Sequence, residues 1–234
     1  MTYIFNTLLY QPLLNVLVLL YLYIPGSDFG LAVISLTILI KTILHPLGVK
    51  SIRSQRDLAA IQPQIKEVQE KYKNNKEEQA KALMVLYKKE KLNPFSGCLP
   101  LLIQLPILLA LYSVFGSGIE GHADLLYSYV SVPVGFNSTF LGLIDLSEPN
   151  LILAVLAGIF QHIQIKTGLP KTKITKNSSP SEKMQQQMQY FMPVLMVIIL
   201  FGLPSAIGLY WITTTIFTII QQYIIFKKPK EAAK

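Results

Sequence analysis

Charged residues make up only 15% of this 234-residue chain, against about 25% in an ordinary soluble domain. That deficit, with 51% apolar residues and a mean hydropathy of +0.43, excludes a soluble globular class and indicates a bilayer protein. Cysteine is almost missing. Cys98 stands alone, so neither an intrachain disulfide nor a cysteine zinc cluster can form. His45, His122 and His162 are isolated on different segments, and no glycine-rich phosphate loop of the Walker type occurs. No cofactor, metal or catalytic group is therefore expected, and the chain does not read as an enzyme. The first residues carry neither a basic region nor a small-residue cleavage site, so no cleaved signal peptide is expected.

What the chain does have is apolar runs near the length of a bilayer crossing, about 20 residues at about 1.5 Å each. Five such spans are predicted: Phe29 to Lys50, Phe95 to Phe115, Asn150 to Lys166, Gln187 to Leu203 and Ser205 to Phe226. The last two meet at Gly202–Leu203–Pro204, which leaves room only for a tight hairpin. Pro46, Pro100, Pro106 and Pro193 fall in or near spans, where neighbouring helices can satisfy freed carbonyls. Tyr3 to Ile24 is apolar but interrupted by Pro12 and Asn15, and no cation flanks it. It reads as an amphipathic helix in the outer interface rather than a sixth span. The expected class is all-α, with residues 1–27 as this interfacial helix and 28–50 as the first span. Residues 51–93 form a cytoplasmic helical hairpin, 94–226 the remaining spans and loops, and 227–234 a basic tail.

Cations are absent from residues 1–28 and 116–149, which hold Asp28, Glu120, Asp124, Asp145 and Glu148. Twenty of the 21 Lys and Arg lie instead in 50–91, 166–183 and 227–234. The positive-inside rule then puts the N-terminus outside and the C-terminus in the cytoplasm, which requires an odd number of spans.

The remaining cation is Lys41, inside the first span. A charged lysine at mid-membrane costs about 2.5–3.5 kcal/mol on insertion scales, so it must face protein or water. Thr37 and His45, four residues to either side, share its helical stripe. Gln104 in the second span, Gln161 and Gln164 in the third, and Trp211, Thr214, Thr215, Thr218 and Gln222 in the fifth add polar groups at membrane depth. Such Thr and Gln also serve simply to bond across helices. No Asp or Glu lies inside any span, so Lys41 has no internal counter-ion and can attract an anionic visitor. Two uses fit: a groove for the acidic flank of a passing chain, or the anion site of a small transporter or channel.

Residues 52–92 are polar and helix-favouring. Leu58, Ile61, Ile65 and Val68 make one apolar stripe and Ala82, Leu83, Leu86 and Tyr87 another, with a turn at Lys73–Lys76. The cations Arg53, Arg56, Lys66, Lys73, Lys76, Lys88 and Lys89 suit docking of incoming chains or of anionic lipid. The tail lysines suit phosphate contacts on a ribosome, and nothing indicates DNA.

The run NPFSGCLPLLIQLPILLALY (Asn93–Tyr112) closely resembles the second-span signature of the YidC/Oxa-type membrane protein insertases. LYKKEKLNP (Leu86–Pro94), ILIKTILHPL (Ile38–Leu47), FMP (Phe191–Pro193) and PSAIGLYWITTTIFTIIQQ (Pro204–Gln222) fit the same family in order and spacing. The resemblance covers nearly the whole chain and is similar to the compact five-span bacterial form. It implies a groove open to cytosol and lipid and closed outside, with Lys41 in the family's cationic position. It further implies Gln104 and Gln164 as polar lining and Trp211 as a fifth-span contact. Nascent membrane proteins and the bilayer would be the partners, with the ribosome and a Sec-type translocon as further candidates. A bacterial plasma membrane would be the location. The family more often carries Arg where this chain has Lys41, and Lys lacks the planar fork for paired contacts.

Overall fold

A computed structural model of the chain describes residues 3–93, 99–117, 120–133, 135–168 and 180–227. The expected helix start at Phe95, Cys98, the lysines at 171, 173 and 176, and the tail 228–234 lie outside these residues.

The described residues are mostly helical. Tyr3–Phe5 (α1) passes through a π-helical turn, Asn6–Tyr10, into Gln11–Tyr23 (α2) without leaving helical dihedrals. Phe29–Ile43 (α3) follows, begun by the Asp28 carboxylate, which accepts from the Leu31 amide at 2.8 Å. His45–Ala60 (α4), Gln62–Lys71 (α5) and Lys76–Lys89 (α6) come next. Leu99–Ser117 (α7) leads to a connection holding a short antiparallel pair, Thr139–Phe140 (β1) and Ile144–Asp145 (β2). Leu151–Gly168 (α8), Pro180–Phe201 (α9) and Ser205–Lys227 (α10) complete the chain.

Asn6–Tyr23, Leu151–Gly168 and Ser205–Lys227 are each long and apolar enough to cross a membrane. The pair α3 and α4 passes the same test but is bent by 68°. The apolar parts of α7 and α9 are shorter, Leu102–Phe115 and Gln189–Phe201.

The bend corrects the straight first helix expected to run to Lys50. α3 stops at Ile43 because Pro46 has no N–H to offer the Thr42 carbonyl and its ring crowds that carbonyl. From Lys41 to Lys50, the distance along the axis of α3 falls from about 13 Å to about 8 Å once the chain turns. A second proline, Pro63, starts α5 after a break at Ile61, dividing the stripe expected to be one arm. α5 and α6 pack side by side across the turn at 72–75, with Gln79 Nε2 donating to the Gln69 carbonyl at 2.8 Å.

α10 is the hub of the bundle and touches α3, α4, α7, α8 and α9. Around it Leu36, Leu111, Val114, Ala154, Ala157, Ala206, Ile207 and Tyr210 are buried. A Cβ at Gly158 would overlap Val197 and press on the Pro193 carbonyl, so the bare glycine sets how closely α8 and α9 approach. The outer faces of α8, α9 and α10 expose Ile152, Ile159, Val194, Ile198 and Ile220. An apolar exterior of that extent suits a lipid solvent.

The N-terminal helix is not amphipathic in the expected sense. Thr7 is exposed, but two further polar residues point inward: Gln11 Nε2 and Asn15 Nδ2 both donate to the Leu125 carbonyl at 3.1 Å, and Asn15 Oδ1 accepts from the Tyr127 amide at 2.7 Å. The helix's other outward positions are apolar, Leu8 and Leu22 among them.

Candidate functional site

On α10, Trp211, Thr214, Thr215, Thr218, Gln221 and Gln222 recur at three- and four-residue intervals and so share a face. On α3 and α4 the same spacing carries Lys41, Gly48, Ser51 and Gln55 through the bend. These two faces, closed by Gln104 of α7, Gln161 and Gln164 of α8 and Met192 of α9, enclose a cavity of ≈ 330 Å³. A smaller lobe of ≈ 60 Å³ lies between α3, α4 and α7 and shares Lys41, Gly48, Ser51, Gln104 and Gln221. Lys41 thus stands where the two meet. Among the described residues no carboxylate lies within ion-pair distance of its ammonium.

The wall is tied by side chains across helices. Trp211 Nε1 donates to Gln161 Oε1 at 2.8 Å, and Thr167 Oγ1 donates to Gln222 Oε1 at 2.7 Å, joining α10 to α8 twice. Gln104 Nε2 donates to the hydroxyl of the buried Tyr210. The threonines behave differently. Thr215 and Thr218 return their hydroxyls to carbonyls one turn back, at 2.7 and 2.9 Å. They satisfy themselves within their own helix and still present a polar edge to the cavity.

Lys41, Gln104, Gln161, Gln164, Trp211, Thr214, Thr215 and Thr218 all line this space. Thr37 does not: it is buried in the bundle, with its hydroxyl donating to the Val33 carbonyl at 2.6 Å. His45 sits beyond the wall, with its Nδ1 2.7 Å from Gln221 Nε2, so the ring holds the start of α4 to α10. Ser51, Gln55 and Gln221 were not singled out as lining from the sequence, although Gln221 lies about one turn beyond Thr218, and Ser51 and Gln55 lie about three and four turns beyond Lys41.

The docking cations are spread over three helices and a turn. Arg53 and Arg56 lie on α4, Lys66 on α5, Lys73 in the turn, Lys76 at the start of α6, and Lys88 and Lys89 at its end. Arg53, Lys73, Lys76, Lys88 and Lys89 are exposed. Among the described residues no His, Cys, Asp and Glu cluster could hold a metal ion.

Residues 20–232 match the family described as 60Kd inner membrane protein. A Fusobacterium nucleatum protein named membrane protein insertase YidC is 36% identical over 202 residues, covering 86% of this chain and 88% of its own length. A Francisella philomiragia protein of the same name is 35% identical over 200 residues, covering 85% of this chain. That alignment takes in 32% of the Francisella protein, so this chain corresponds to about a third of the longer relative.

Proposed function

The chain belongs to the 60Kd inner membrane protein family, and on that premise we propose that it is a bacterial membrane protein insertase whose polar cavity receives its substrates. The cavity of ≈ 330 Å³ at Lys41, walled by glutamines and threonines inside an apolar bundle, is the observation that carries the reading. A cavity of that size has room for several waters, and the lysine, glutamine and threonine groups on its wall offer them partners. Polar groups flanking an entering segment then escape much of the several kcal/mol that each unsatisfied group costs in hydrocarbon.

In this reading the spans are α3 with the start of α4, then α7, α8, α9 and α10. The N-terminus lies outside and the C-terminus in the cytoplasm, as the distribution of lysine supports. α2 rests in the outer interface. Gln11 and Asn15 touch residues 125–127, while Tyr21 Oη, about 15 Å further along the helix, accepts from Asn137 of the same connection. A helix plunging through the bilayer would leave that connection behind. The arms α5 and α6, on the cytoplasmic side, meet the incoming chain, and Lys41 attracts its acidic flank. The apolar segment then partitions sideways into lipid. Nascent membrane proteins and lipid are the partners, with a ribosome and a Sec-type translocon as further ones. Family membership favours insertion over the rival use of Lys41 as an anion-conducting site.

The test is reconstitution in vesicles with a short single-span substrate. Insertion should proceed without nucleotide hydrolysis, with crosslinks to the substrate from Gln104 and Trp211 positions and background flux of small anions. Insertion that depends strictly on ATP, or crosslinks no stronger than those from the outward Ile159, would defeat the proposal.

A further inference from the structure

The connection between α7 and α8 carries a tip that the cavity does not use. Leu141, Gly142 and Leu143 join β1 to β2, and Leu141 is 60% and Leu143 84% exposed. Leu141 has φ 52°, the left-handed region in which its Cβ crowds the following carbonyl and where Gly or Asn is the ordinary choice. A branched aliphatic side chain there serves neither the turn nor the core.

The tip is fixed to the outer end of α3. One oxygen of Asp28 accepts from the Leu31 amide and the other from the Leu141 amide, so the first turn of α3 and the tip hang on a single carboxylate. The Phe140 ring fills the place a Cβ at Gly30 would take, seating β1 on bare helix backbone. Beyond this joint the outward stripe of α3 continues with the exposed Leu31, Ile38 and Leu39. Tyr23, 82% exposed, stands five residues before Asp28, as an aromatic at a headgroup boundary would. The charges nearest the tip, Asp28 and Asp145, are engaged at its base, by the Leu31 and Leu141 amides and by Ser138 and Ser147.

We propose that Leu141 and Leu143 form a lipid finger, dipping into the outer leaflet beside the first turn of α3 and holding the α7–α8 connection against the membrane surface. The inference rests on the outward placement of this connection and on α3 entering the bilayer near Phe29. Lipid is the occupant because the tip is aliphatic and runs on from the exposed face of α3.

The experiment places an environment-sensitive NBD label at Leu143→Cys, and separately at Leu141→Cys, in the full chain carrying Cys98→Ser. The protein is reconstituted in phosphatidylethanolamine–phosphatidylglycerol vesicles. Both labels should emit to the blue, and a nitroxide near the lipid headgroup should quench them roughly twofold more than one at the chain end. Emission and quenching equal to those of a label on the exposed Ser147 would overturn the finger, as would a shielded label that no lipid nitroxide reaches. A label at Leu39 tests the premise separately. Quenching at Leu39 without quenching at Leu143 removes the finger alone, whereas no quenching at Leu39 removes the span assignment of α3.

Discussion

His162 Nδ1 lies 3.3 Å from the carbonyl of Gln189, the α9 carbonyl that Pro193 leaves without its helical donor. A ring on α8 thereby replaces a hydrogen bond missing from α9, and the ring also packs on Tyr190 at 5.6 Å.

Removing that donor should cost about 1 kcal/mol, the low end for an unsatisfied carbonyl, because this one is only partly buried. His162→Leu is expected to lower unfolding stability in detergent by this amount. In a Pro193→Ala background, where the backbone N–H returns, the same change should cost much less. Equal losses in the two backgrounds would show that His162 contributes packing only.

Lys41→Leu should reduce insertion of a substrate with an acidic outer flank by about tenfold, the loss of one modest charge attraction. A substrate with a neutral flank should be little affected, and Lys41→Arg should retain activity for both. Protease protection in vesicles reads all four combinations. Full activity of Lys41→Leu at normal protein levels would remove the cation from the mechanism.

Trp211 is the chain's single tryptophan, so its emission reports directly on the cavity wall. A water-filled cavity predicts emission to the red of a membrane-buried indole and efficient quenching by acrylamide. Blue emission that acrylamide cannot reach would mean a dry seam between α8 and α10.

The hydroxyl of Ser138, and then the hydroxyl and amide of Ser147, hold the Asp145 carboxyl below its ordinary range. The folded connection therefore binds this proton less readily than the unfolded chain does. Its contribution is complete above the unfolded value of about 3.9 and fades as pH falls through the lower folded value. Protection of the Ser147 amide, taken relative to its intrinsic exchange rate at each pH, should fall in that acidic window, and Ser138→Ala should move the onset to higher pH. An exchange profile that Asp145→Asn leaves unchanged would contradict the assignment.

Much of the site was legible because helical spacing and the price of burying charge are both local rules. Lys41, Gln104 and the Trp211–Thr218 face follow from them, and α10 begins at the expected Ser205. Other features depend on partners far along the chain. Asn15 marks a polar break in an apolar run, but its inward direction is set by Leu125 and Tyr127, more than a hundred residues away. Thr37 has the right spacing for the cavity, yet its own helix takes its hydroxyl. Pro46 announces a disturbance in the first helix. The 68° that results reflects how α4 settles on α10, α7 and α8, which no local pattern encodes.

The early end of α3 has a mechanical consequence for the surrounding lipid. Its 15 residues rise about 22 Å, well short of a hydrocarbon slab of about 30 Å. Lipid beside so short a helix meets it by thinning locally, at a fraction of a kcal/mol for each ångström of mismatch. In the proposed arrangement this shallow zone borders the helix that carries Lys41, so a segment leaving the bundle there has less oil to traverse than beside the longer α8 and α10.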